Sequence, residues 1–334
     1  MKHINTKFAA KVIVTLLFLY FITRKVKLGD IFIALSHISL PYIFLLLLIS
    51  IIMIVISCLK WQLFLRARGT EISIWSLMVY YYIGYFFNNL LPSSVGGDVA
   101  RMYLLGKNLN DNTKSISTVF LERYTGVIAL IVLTIVAAVL NNRLASRPLF
   151  FFPICIMGLV LILSLMFFSI ERIKNFIFDL LNFDFLLKIK NKFDGFYQSV
   201  HYFRNQWKIL AYSMFYSFLF HLMTIINTIV CCWAIKISPN VYDLALTVPM
   251  ILFVSTVPIT VGSIGLWEGA FVFFFHQIGI SSADAVTVAL ILRAKNIIMG
   301  LVGGLFYLLR GKMLKKMPSS GAGAIGENIP ESAE

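Results

Sequence analysis

Runs of about 20 nearly uninterrupted apolar residues recur along this chain, the length a helix needs to cross the hydrocarbon core of a bilayer. Six segments meet or approach that standard, at 8–23, 41–59, 124–140, 148–170, 209–235 and 285–309. Composition agrees with them. Of the 334 residues, 59% are hydrophobic and 13% charged, against about 25% charged in an average soluble domain. So little charge cannot cover a water-soluble globule of this size. The first segment follows Lys2, Lys7 and Lys11, as a signal peptide would, but no small-residue cleavage site comes after it, so it is taken as a span. The expected fold class is all-α: a polytopic helical membrane protein with about six spans.

Two further apolar stretches, 74–91 and 242–257, run into Pro and Gly and then resume. The first break reads Asn88-Asn89-Leu90-Leu91-Pro92-Ser93-Ser94-Val95-Gly96-Gly97-Asp98, and the second runs from Pro258 through Gly262 and Gly265 to Glu268. Proline removes a backbone donor and glycine resists helix continuation, so such a break survives in a bilayer only where protein or trapped water satisfies the freed groups. Both are expected to be re-entrant helical hairpins shaped by Pro92, Gly96, Gly97, Pro258, Gly262 and Gly265. With the N-terminus cytoplasmic and each hairpin entering and leaving on one face, most of the 29 Lys and Arg residues fall on the cytoplasmic side. They include Lys60, Arg66 and Arg68, read as the cytoplasmic flank of the second span. The first hairpin then enters from the cytoplasm and the second from the opposite face. This places the protein in the cell (inner) membrane, multi-pass, with both termini cytoplasmic.

The breaks share Pro-x-x-Val-Gly at an offset of 166, and Thr118-Val119 before Arg123 is echoed by Thr287-Val288 before Arg293. Paired, interrupted apolar segments in two halves of a chain point to a midplane binding site built from an inverted repeat. Residues 1–312 read as a single transmembrane domain. Within it, 171–208 reads as a cytosolic amphipathic segment, and residues 313–334 read as a disordered cytosolic tail. The net charge of +14 follows from basic cytoplasmic loops and anionic lipid headgroups, and no nucleic-acid partner is implied. Cys58, Cys155, Cys231 and Cys232 lie in apolar runs without CxxC or zinc-ligand spacing. They read as packing residues, and neither a metal nor a cofactor is expected.

Charged and amide groups within membrane segments are costly unless paired or hydrated, which makes them functional candidates. Asn88, Asn89, Asp98 and Arg101 surround the first break, and Glu122 and Arg123 open the span that follows. Glu268 follows the second break, and Arg293 lies in the last span. Asp98 and Arg101, at i and i+3, can pair on one helix face. A half-helix beginning at Gly96 or Gly265 points backbone N–H groups into the protein, where Arg101, Arg123 and Arg293 can join them on a phosphate. The plainer alternative makes Asp98 a helix-dipole acid, Arg101 a snorkelling cation and Glu268 a cap. No GxxxxGK[ST], HExxH or GxSxG motif occurs. The five histidines form no sequence cluster and read as packed or interfacial side chains.

The block from Asn88 to Arg101, with Leu121-Glu122-Arg123, resembles the lysylphosphatidylglycerol synthase transmembrane-region family, also called flippase-like. The second block, Pro258 to Ala270 with Arg293, is similar to that family's C-terminal half. The resemblance implies a polytopic module that moves or handles phospholipids or polyprenyl-linked lipids. In the family's best-known members the module is fused to a cytosolic aminoacyl-transferase, and the short stretch after Leu309 is expected to hold no such domain. Asp98 stands where some members carry Glu. The favoured expectation is a lipid translocator for a phosphate-bearing phospholipid or polyprenyl-linked lipid, with membrane lipids as partners and no catalytic residue assigned. A separately encoded glycosyl- or aminoacyl-transferase is a further expected partner. The alternative is a membrane enzyme, or the membrane subunit of a lipid-modifying transferase, with Glu268 or Asp98 as acid/base.

The topology predicts which faces reagents reach. In a cysteine-free background, a cysteine at Lys114 should react with an impermeant thiol reagent only from the cytoplasmic side. One at Ser281 should react from outside intact cells. Labelling of position 114 from outside contradicts this arrangement.

Overall fold

A computed structural model describes residues 38–91, 95–169, 202–256 and 265–313. The first expected span, the tips of both breaks with Pro92, Pro258 and Gly262, nearly all of the expected amphipathic segment and the tail lie outside these residues. The described residues are helical, with no strand among them. Five helices are long and apolar enough to cross a membrane. These are α1 (Leu40–Ala67), α4 (Asn112–Leu140), α6 (Pro148–Ser169), α7 (Trp207–Ala234) and α10 (Ser282–Met313). Between them lie α2 (Ile74–Leu90), α3 (Gly96–Leu109), the single turn α5 (Asn142–Ala145), α8 (Val241–Thr256) and α9 (Leu266–Gln277).

The long helices extend beyond their apolar runs. Helix α1 continues through Lys60, Trp61, Phe64 and Leu65, all buried, so Lys60 is an interior helical residue and not a flanking loop charge. Local chemistry sets the ends. Pro41 sits in the first turn of α1, where its missing N–H costs nothing. The Ser73 hydroxyl caps α2 by accepting from Ser76 N–H at 3.2 Å. Asp111 caps α4 by accepting from Lys114 N–H at 2.9 Å, and Ser281 caps α10 by accepting from Asp284 N–H at 3.1 Å. Helix α3 stops at Asn110, which is left-handed at φ 52, a conformation asparagine tolerates better than most residues.

Helices α2 and α3 form a closed hairpin. At their crossing the backbones approach so closely that a Cβ on Gly97 would overlap the carbonyl of Gly84. Asn88 Oδ1 accepts a 2.6 Å hydrogen bond from Gly97 N–H, joining the end of α2 to the start of α3. Helix α8 packs on α9 in the second half, and α9 begins after Gly265, whose φ of 79 suits glycine. The closest helix pair joins the two halves, with α2 lying along α10. There Gly300, Gly303 and Gly304 face Tyr82, Tyr85, Phe86 and Asn89, and Asn89 Nδ2 donates to Asn296 O at 3.0 Å. Small residues of this kind let membrane helices approach backbone to backbone. Helix α6 instead turns Phe151, Phe152, Ile156 and Leu163 outward, as suits lipid contact. Cys58, Cys231 and Cys232 are buried and Cys155 is exposed, all as free thiols.

The α2–α10 contact predicts a contrast between two glycines. A Cβ at Gly303 would strike the Tyr82 backbone, whereas one at Gly158 in α6 meets nothing within 4 Å. Gly303→Ala should therefore cost about 1–3 kcal/mol by overpacking, and Gly158→Ala should be neutral or slightly stabilising. Melting of the purified variants in detergent checks both.

Candidate functional site

Arg101 is 1% exposed and lies at the centre of a buried charge cluster. It rises from α3 beside Gly84, where a side chain on α2 would crowd its aliphatic stem. Its Nη2 donates to Asp98 Oδ1 at 2.5 Å, one turn earlier on α3, and its Nη1 donates to Glu122 Oε2 at 2.9 Å on α4. The guanidinium carbon stands 4.0 Å from the Tyr81 ring centroid and 5.0 Å from that of Trp61. Tyr81 also donates its hydroxyl to Glu122 Oε1. A buried cation thus receives two carboxylates and two aromatic faces from α1, α2, α3 and α4. Charge-assisted pairing of this kind is what makes its burial tolerable.

Arg123 completes the cluster differently. Its Nη2 lies 2.7 Å from Asp98 Oδ1, so two arginines share that oxygen, yet the Arg123 side chain is 53% exposed. Lys60, 6% exposed, donates to the main-chain carbonyl of Glu122 at 2.7 Å and to Ser217 Oγ at 3.0 Å. These groups border a cavity of about 320 Å³ between α1, α2, α3, α4, α7 and α8, within the range of small-molecule pockets. Its polar lining includes Asn88, Asp98, Arg101, Glu122, Arg123, Lys60, Ser217 and His221, and its apolar lining includes Ile54, Val127, Leu130, Phe220 and Leu252.

The eight sequence-chosen residues therefore divide. Asn88, Asp98, Arg101, Glu122 and Arg123 come together at the cavity. Asn89 is turned to the α2–α10 contact. Glu268 and Arg293 form a second cluster, with Arg293 Nε 2.6 Å from Glu268 Oε1 and Glu268 Oε2 accepting from Gly265 N–H at 2.9 Å. Glu268 is thus both an ion-pair partner and a helix cap. Neither it nor Arg293 lines the cavity. The start of each half-helix already holds a protein acceptor: Asn88 takes Gly97 N–H, and Glu268 takes Gly265 N–H. Gly96 is buried at the first turn of α3, beside Leu91.

The two clusters repeat one another. Helices α3 and α9 begin at Gly96 and Leu266, and α4 and α10 at Asn112 and Ser282, each pair 170 residues apart. The capping residues Asp111 and Ser281 keep that offset, as do the acids Asp98 and Glu268 and the arginines Arg123 and Arg293. In both halves an acid in the first turn of the half-helix pairs with an arginine from the long helix that follows. The Pro-x-x-Val-Gly motifs are 166 apart, so four residues separate the offset of the breaks from that of the helices. Glu122 has Leu292 as its counterpart, so the extended network belongs to the first half alone.

Lys60, Tyr81, Gly84, Ser217 and His221 are among the cavity residues that sequence reasoning missed. For Lys60 there was a signal, since the helical spacing of Trp61, Phe64 and Leu65 continues past it. For His221 there was only its place inside an apolar run.

The chain is similar to the UPF0104 membrane protein of Methanocaldococcus jannaschii. The two are 23% identical over 325 residues, which cover 92% of this chain and 96% of that protein. No solved structure matches. The family model described as the lysylphosphatidylglycerol synthase TM region matches residues 8–304, and the chain belongs to that family of membrane proteins.

Proposed function

We propose that the protein translocates a phosphate-bearing lipid, taking the headgroup into the cavity beside Arg123 while the chains stay against its apolar side chains. One observation carries this reading: a half-exposed arginine, held by a buried acid, opens onto a cavity lined by both polar and apolar side chains. A cavity of that character fits an amphiphile. The guanidinium offers the planar donors that phosphate oxygens accept, and Asp98 holds it in place until a lipid phosphate competes for it. Paired interrupted helices in two halves are the arrangement in which transporters expose one site alternately to either face, and the matching Asp98–Arg123 and Glu268–Arg293 pairs supply such a framework. Membership of a lipid-associated family supports the same substrate class. The protein acts as the membrane partner of any separately encoded transferase that makes or uses that lipid.

Substitutions separate the ligand-facing arginine from the structural one. Arg123→Gln should fold, since the side chain is half exposed, and should lower headgroup transfer about tenfold or more. Arg101→Gln should leave two buried carboxylates short of their cation, costing about 3–5 kcal/mol, and should appear as poor expression or a lowered melting point. Liposomes containing the purified protein and a fluorescent phosphatidylglycerol, quenched with dithionite, measure transfer. Wild-type vesicles that quench no more than empty ones refute translocation of this lipid, and a stable Arg123→Gln protein with full transfer removes Arg123 from the site.

A further inference from the structure

Two cavity residues outside the expected set carry information about the ligand. Lys60 Nζ is engaged only by neutral oxygens, the Glu122 carbonyl and Ser217 Oγ, and among the described residues no carboxylate lies within ion-pair distance of it. His221, 7% exposed, bonds Gly126 O through Nε2 at 2.9 Å, while its Nδ1 is buried without a partner among the described residues. Lys60 and His221 meet the same stretch of α4. The carbonyls they bond, on Glu122 and Gly126, are one helical turn apart, and Ser217 and His221 are one turn apart on α7. An imidazole that donates from Nε2 presents Nδ1 as an acceptor, and no donor among the described residues meets it. The lining charges leave a surplus of one positive charge, with Lys60, Arg101 and Arg123 against Asp98 and Glu122. Arg101 is committed to both carboxylates, which leaves Lys60 and Arg123 as the cations with donors to spare.

We propose that Lys60 and Arg123 together hold the single negative charge of a phosphodiester, and that His221 Nδ1 accepts a hydrogen bond from a hydroxyl on its headgroup. This rests on the lipid-phosphate reading of the cavity and narrows it to the class: a monoanionic diester with a neutral, hydroxylated headgroup, whether glycerol on a phospholipid or a sugar on a polyprenyl phosphate. A monoester dianion exceeds the surplus charge. A quaternary ammonium headgroup brings a cation toward Lys60 and no donor for His221.

The test is equilibrium binding to the purified full chain in neutral detergent, read by thermal shift and intrinsic tryptophan fluorescence. The probes are dioctanoyl phosphatidylglycerol, phosphatidylmethanol of equal charge but without a hydroxyl, phosphatidylcholine and a glucosyl polyprenyl phosphate. Wild type should bind phosphatidylglycerol or the glucosyl lipid several-fold more tightly than phosphatidylmethanol, and phosphatidylcholine least. The tighter of the first two identifies the source of the headgroup. His221→Leu should bind phosphatidylglycerol and phosphatidylmethanol alike, and Lys60→Gln should weaken both by about tenfold or more. Equal wild-type affinity for the hydroxylated and hydroxyl-free diesters overturns the proposal without any variant, so a misfolded substitution cannot shelter it. Retained discrimination in His221→Leu, or wild-type affinity in Lys60→Gln, also overturns it. Because micelles have no leaflets, selective binding without transfer in liposomes refutes translocation and leaves this assignment standing. Transfer indifferent to the headgroup refutes this assignment alone.

Discussion

A guanidinium buried to 1% exposure is the constraint around which the first half is built. Its carboxylates come from α3 and α4, its aromatic faces from α1 and α2, and its stem runs past a glycine whose replacement would crowd it. Removing the guanidinium would leave Glu122 without its cation in a low-dielectric interior, which costs several kcal/mol. The arrangement explains why a residue so central to the site is poorly suited to binding anything else. Arg101 positions Asp98 and Glu122, and those in turn place Arg123 and the main-chain carbonyl that Lys60 uses.

The second half repeats the framework and omits the network. Its acid and arginine pair as their counterparts do, its helices start at the same offset, and its cap is of the same kind. Leucine stands where Glu122 would be, so the second half has no carboxylate there to hold a buried arginine like Arg101. Symmetry of fold with asymmetry of charge assigns the polar chemistry to one half. The other half retains an ion pair that also caps its short helix.

The five described spans and the interruption of helix in each half were legible because membrane physics writes them plainly: apolar length for one, proline and glycine within it for the other. Asp98, Arg101, Glu122 and Arg123 stood out as charges in an apolar chain. Lys60 did not, because it follows an apolar run that alone satisfies the length of a span, and a lysine there reads as a flank. Its burial depends on α4 and α7 arriving from far along the chain. The same is true of His221, whose orphan nitrogen is a property of packing and not of spacing. Arg293 was expected to join Arg101 and Arg123 on a phosphate, but it pairs with Glu268 within the second half. Asn89, chosen for its place at the break, serves the helix contact that joins the halves.

That contact has a mechanical consequence. The glycine face of α10 brings its backbone against α2 with no side chain between them at Gly303, yet the two helices belong to different repeats. Interdigitated in this way, the halves cannot rock against each other as separate blocks without tearing this closely packed seam. The seam behaves as a spine. Displacement is left to the short pieces hung from it, α3 and α9, each tethered at its first turn by an acid gripping an arginine on the next helix. The stroke of any large motion is then limited to what one ion pair at the first turn of each short helix can release.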